Sequence, residues 1–117
     1  MGISKKGRNT LKFSNRTFTW WVAMGDEGQD VLTVASEDKH FFVRYQLEQS
    51  DDRFLIIEGC EFPGLADAGG CHIRIYCPQW EKDNSITPRS IRELLEWCLQ
   101  KPDRPLQRCD WRGKQIR

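Results

Sequence analysis

Residues Ile86–Gln100 (ITPRSIRELLEWCLQ) carry both a start signal and a one-sided apolar stripe, which restricts this stretch to an amphipathic helix. Thr87 suits the N-cap, where its hydroxyl accepts from the unpaired N–H groups of the first turn. Pro88 follows at the first helical position, where a missing N–H costs nothing. Ile86 and Ile91 stand at the two positions of a hydrophobic staple. Apolar residues then recur at Ile91, Leu94, Leu95, Cys98 and Leu99, spaced i, i+3, i+4, i+7, i+8. A helix of this kind needs an apolar partner surface elsewhere in the chain.

Alternating segments upstream supply it. Arg16–Ala23 sets Phe18, Trp20 and Val22 against Thr17 and Thr19, the period of a strand. Val31–Ser36, His40–Glu48, Arg53–Glu58 and Cys71–Cys77 read as four more strands, separated by short polar turns and by the glycine-rich stretch Gly59–Gly70. Short turns favour antiparallel neighbours, because parallel ones need a long crossover. The expected fold is α+β: an antiparallel meander of about five strands with one main C-terminal helix on one face. Residues 1–12 are read as a mobile basic segment, and 13–117 as a single domain with a basic C-terminal tail.

Both strand faces carry large apolar groups. Trp20 adjoins Trp21, Phe41 adjoins Phe42, and Phe54–Ile57 has no polar side. One helix spanning about 20 Å covers only one face of such a sheet, so the second needs a terminal segment, a ligand or a partner subunit. A homodimer is the expected cover.

Charge is unevenly distributed. Residues 1–16 hold five bases and no acid, 17–100 hold seven bases against fifteen acids, and 101–117 hold six bases against two acids. An acidic body between basic ends admits a nucleic-acid reading, with Trp111 set among Arg108, Arg112, Lys114 and Arg117. The acidic body would repel the same backbone, so this reading ranks second.

No apolar run reaches the ~18–20 residues of a membrane span, and MGISKKGRNT lacks the apolar core of a signal peptide. The expected compartment is the cytoplasm. Five cysteines at irregular spacings do not form a secreted disulfide framework. Cys71 and Cys77 would lie about 20 Å apart on an extended strand, and no CxxC pair exists, so neither metal nor cofactor is expected. Gly59–Gly70 lacks the Gly-Lys-Ser/Thr ending of a phosphate cradle and leads into a strand. A loop of this length can still line an enzymatic pocket, with His72, Glu58, Glu61 and Asp67 as its titratable groups. That is the third reading.

The stretches FFVRYQLEQSDDRFLIIEGCEFPG (Phe41–Gly64) and ITPRSIRELLEWCLQ (Ile86–Gln100), with Trp111 and Gly113 in a basic tail, resemble small bacterial proteins of mobile, integron-type gene cassettes and immunity-like accessory proteins. The resemblance implies a compact α+β binding or accessory protein. It assigns no functional residue. The residues themselves offer five candidates for that surface: Trp20 and Phe42 in the strands, His72 after the glycine-rich loop, Trp97 on the helix flank, and Trp111 in the tail.

The helix reading predicts that Leu95→Ala costs about 2–5 kcal/mol, while Arg92→Ala stays within about 0.5 kcal/mol. Urea denaturation separates the two, and equal midpoints would contradict a one-sided helix.

Overall fold

The computed structural model describes residues 8–24, 28–47, 49, 53–65, 73–83, 85–100 and 106–109. Seven strands form one sheet: β1 (Asn9–Phe13), β2 (Arg16–Met24), β3 (Asp30–Ser36), β4 (Phe42–Gln46), β5 (Phe54–Ile57), β6 (Ile73–Tyr76) and β7 (Arg108–Cys109). Their order across the sheet is their order in sequence, and every neighbouring pair is antiparallel. One helix, α1 (Pro88–Gln100), packs on the sheet. The α+β meander is as expected from the alternation, with seven strands rather than about five.

The two additional strands are the edges. Asn9–Lys12 fall in the segment read as mobile, yet they pair with β2 through Phe13↔Arg16, Leu11↔Phe18 and Asn9↔Trp20. The hairpin turns on Ser14 and Asn15, both at positive φ (51° and 64°). That is the type I′ geometry, which matches strand twist but is usually announced by a glycine. A Ser-Asn turn gives a weaker signal. At the other edge β7 has only two residues, too short to show any alternation.

Alternation sorts the strands into two faces. Phe18, Trp20, Leu32, Val34, Val43, Tyr45, Leu55, Ile57, Ile73 and Ile75 point inward and are buried. Against them α1 buries Ile91, Leu94, Leu95 and Cys98, each with no exposed surface. Phe62 and Trp80 enter the same core from the connections. Phe18 meets Phe13 and Phe41 edge-on at ring separations of 6.4 and 5.8 Å, a favourable arrangement of ring quadrupoles.

The helix begins as its sequence demands. Ser90 N–H donates to Thr87 Oγ1 at 3.3 Å, and Thr87 N–H donates back to Ser90 Oγ at 3.2 Å, so serine plays the reciprocal part of the capping box. Arg92 Nη1 donates to the carbonyl of Lys12 (3.3 Å) and Gln100 Nε2 to Ser14 Oγ (2.7 Å). The helix thereby occupies part of the outer edge of β1, which would otherwise offer unpaired backbone groups to another chain.

After β5 the chain folds tightly back on β4. Both Glu58 and Gly59 N–H donate to Phe42 O (2.9 and 3.1 Å), and Glu61 N–H donates to His40 O (2.9 Å). A Cβ on Gly59 would stand 2.2 Å from His40 O and 2.7 Å from Phe42 N, both backbone atoms that cannot swing aside. Gly59→Ala is therefore expected to cost at least about 2 kcal/mol by overpacking. Its urea midpoint should fall well below that of the parent; an unchanged midpoint would contradict this close approach.

Candidate functional site

The face of the sheet away from α1 is built from the alternate residues of the same strands. Register carries one row straight across it: Trp21, Thr33, Arg44, Ile56, Arg74 and Cys109 are successive partners from β2 to β7. Phe42 lies on one side of this row. Phe54 and its partner Tyr76 lie on the other. Trp21, Phe42, Phe54, Ile56 and Tyr76 are all half-buried, so these side chains are neither in the core nor fully in water, while Thr33, Ala35 and Cys109 on the same face are buried.

What lies over the rings is arginine. Arg8 places its guanidinium carbon 4.3 Å from the Trp21 ring centre, Arg44 5.9 Å from Phe42, and Arg74 5.8 Å from Phe54. All three fall within the ~6 Å reach of cation–π attraction, worth about 0.5–1 kcal/mol each at exposed sites. A guanidinium is planar and weakly hydrated, so it can cover a ring with its flat side and keep its N–H donors at the rim. Arg44 Nε meets Glu58 at 3.1 Å. Arg74 Nε is buried without a hydrogen-bond partner.

The electrostatics of this face are one-sided. Alternation puts Lys12, beside Thr17, on the same side as Arg8, Arg44 and Arg74. Among the described residues of the strands and their immediate extensions, Glu58 is the single carboxylate facing this way. Other acids lie elsewhere: Glu37 and Asp38 in the β3–β4 turn, Glu81 in the interior, and Glu93 and Glu96 on α1.

The five candidate residues separate. Phe42 belongs to this face. Trp20 points the other way, is 8% exposed and packs in the core, with its indole N–H unpartnered. Trp97 lies half-buried on the flank of α1 with its ring 5.7 Å from that of Trp80. His72 and Trp111 lie outside the described residues. Trp21, Arg44, Phe54 and Arg74 are additions made by the structure. The signal for Arg44 is present in Phe42-Val43-Arg44, where period two puts ring and cation on one side. Arg74 reaches Phe54 diagonally across strands, which no single strand reveals.

The acid–base candidates are occupied otherwise. Glu58 pairs with Arg44, and Glu61 forms a two-pronged pair with Arg16, both contacts at 2.7 Å. Asp67 lies outside the described residues. A cleft of about 310 Å³ opens between the β1–β2 and β3–β4 turns, lined by Asn15, Arg16, Thr17, Ser36, Glu37 and Asp38. There the Ser36 hydroxyl (2.6 Å) and the His40 backbone N–H (3.0 Å) donate to Asp38 and hold its carboxyl below the usual carboxylate range. These bonds close the turn on itself. Among the described residues no group of three or more His, Cys, Asp or Glu converges as a metal site.

A buried polar cluster lies on the inner side. Tyr45 donates to Glu81 and accepts from Arg53 Nη1 (3.0 Å) and the Trp80 N–H (3.3 Å), while Arg53 and Glu81 form an ion pair at 3.6 Å. Burial, then the bond to Glu81, pushes the phenol far above its ordinary pKa. Tyr45 stays protonated and cannot serve as a base. The cluster fastens the Gln79–Glu81 connection to the sheet. Removing one member of a buried pair like this leaves an uncompensated charge, typically at a cost of about 3–5 kcal/mol.

The chain matches no protein-family model, no curated protein and no solved structure. No helix among the described residues is long and apolar enough to cross a membrane.

Proposed function

We propose that this is a non-enzymatic binding protein of the accessory kind its cassette-like and immunity-like resemblance implies, and that the open face of the sheet holds an anionic partner. The observation that carries this reading is the set of three guanidinium groups within about 6 Å of half-buried rings, with four cations facing one carboxylate among the described strand residues. A guanidinium that already interacts with a ring loses less side-chain freedom when its N–H donors engage an anion.

A second copy of the chain is a poorer occupant for this face. Two-fold pairing would set the Arg44 and Arg74 rows of two protomers against one another, and like charges in an interface cost several kcal/mol. The excess of aromatic residues that favours a dimer also has another resolution. Phe18 and Phe41 are in the core with Trp20, while Trp21, Phe42 and Phe54 lie beneath the chain's own arginines.

Retention on a sulfated polyanion column tests the reading. The Arg44→Gln/Arg74→Gln pair should elute at clearly lower salt than the parent. Lys82→Gln/Arg89→Gln removes the same charge from exposed positions elsewhere and should elute close to the parent. Equal losses from the two pairs, or no loss from the first, would contradict an anion-binding sheet face.

A further inference from the structure

Resting on that reading, we infer that the anionic partner is a single-stranded nucleic acid, held with its bases stacked on the ring–guanidinium layer and its phosphates on the arginine and lysine donors. Charge complementarity favours a polyanion. Among the described strand residues and their immediate extensions, Arg8, Lys12, Arg44 and Arg74 face this side with Glu58 as the one carboxylate, and Glu58 already engages Arg44. A polyanion with regularly spaced charges can meet these cations together, whereas one small anion can meet only one or two.

Flat surfaces alternate with the cations on this face. Unpaired bases stack on aromatic side chains and on guanidinium planes without regard to sequence. Here Trp21 lies under Arg8, Phe42 under Arg44 and Phe54 under Arg74, three such surfaces across one sheet. With neighbouring strands about 4.8 Å apart, the β2, β4 and β6 positions of the central row recur roughly every 10 Å. An acidic protein surface would use the cations but leave the flat surfaces idle. A duplex would hide its base faces and present only its backbone.

Arg44 and Arg74 lie on central strands of the sheet, while Arg8 and Lys12 come from the basic N-terminal segment, which pairs with β2 from Asn9 onward.

The test is fluorescence anisotropy of a labelled oligothymidylate titrated with the full chain at low and rising salt. Binding is expected to weaken with salt, with a log–log slope of about −2 to −3 for three or four phosphate contacts on a single strand. Arg44→Lys/Arg74→Lys keeps the charge but removes the planar stack, and should weaken binding at least about fivefold. Its thermal midpoint, read in parallel, establishes that it is folded. If the variant does not fold, Phe42→Leu, which keeps both arginines and removes one ring, takes its place with the same expectation.

Polyglutamate of matched charge should compete poorly, and a duplex of the same length should bind more weakly than the single strand. Absence of oligothymidylate binding at low salt would overturn the inference. Equal binding of polyglutamate, duplex and single strand, with the lysine pair unaffected, would also overturn it while leaving an anion-binding face intact. Loss of polyanion retention as well would remove both.

Discussion

One helix cannot cover two faces of a seven-stranded meander, and the structure is organised around that shortfall. The thirteen residues of α1 span about 20 Å, while seven strands at about 4.8 Å spacing place the outer pair roughly 29 Å apart. The inner face therefore draws in Phe62 and Trp80 from the connections to finish its core. The outer face receives no second helix among the described elements. Its rings are held under guanidinium groups, which shield apolar surface while leaving a charged, hydrogen-bonding exterior. The same device that limits exposed apolar area gathers cations on one face of the sheet.

The connection between sheet and helix is fixed by polar bonds and ring contacts together. Tyr45 stands near the middle of β4, and its hydroxyl joins Glu81, Arg53 and the backbone of Trp80 into one cluster. Trp80 then bridges Tyr45 and Trp97, with ring separations of 5.1 and 5.7 Å. The line from β4 through the connection to α1 is continuous. Reading the open face as the working surface suits this arrangement, because the helix side is committed to stability and the strands carrying Arg44 and Arg74 are backed by the rigid core.

Legibility from sequence follows the strength of local signals. The Thr87-Pro88 start and the Ile91–Leu99 stripe fix α1, and the observed capping bonds use the expected residues, with Ser90 in the role more often taken by Glu or Gln. Period two gives the inward set Phe41, Val43, Tyr45 and Leu47, all buried. The edges are less legible because β1 turns on Ser14-Asn15 and β7 is two residues long. The site is least legible. Trp20 and Trp21 are adjacent and chemically alike, and only strand register decides that Trp20 enters the core and Trp21 the open face. The Arg8–Trp21 and Arg74–Phe54 contacts depend on placements between strands that composition and spacing do not contain.

The rings of the outer face lie beneath the chain's own arginines, and NMR ring-current shifts measure this directly. In the parent protein the Arg44 and Arg74 side-chain protons nearest the guanidinium should resonate upfield of free arginine. Phe42→Leu should abolish the displacement at Arg44 alone, and Phe54→Leu that at Arg74 alone. Free-arginine shifts in the parent, unchanged in both variants, would contradict the account.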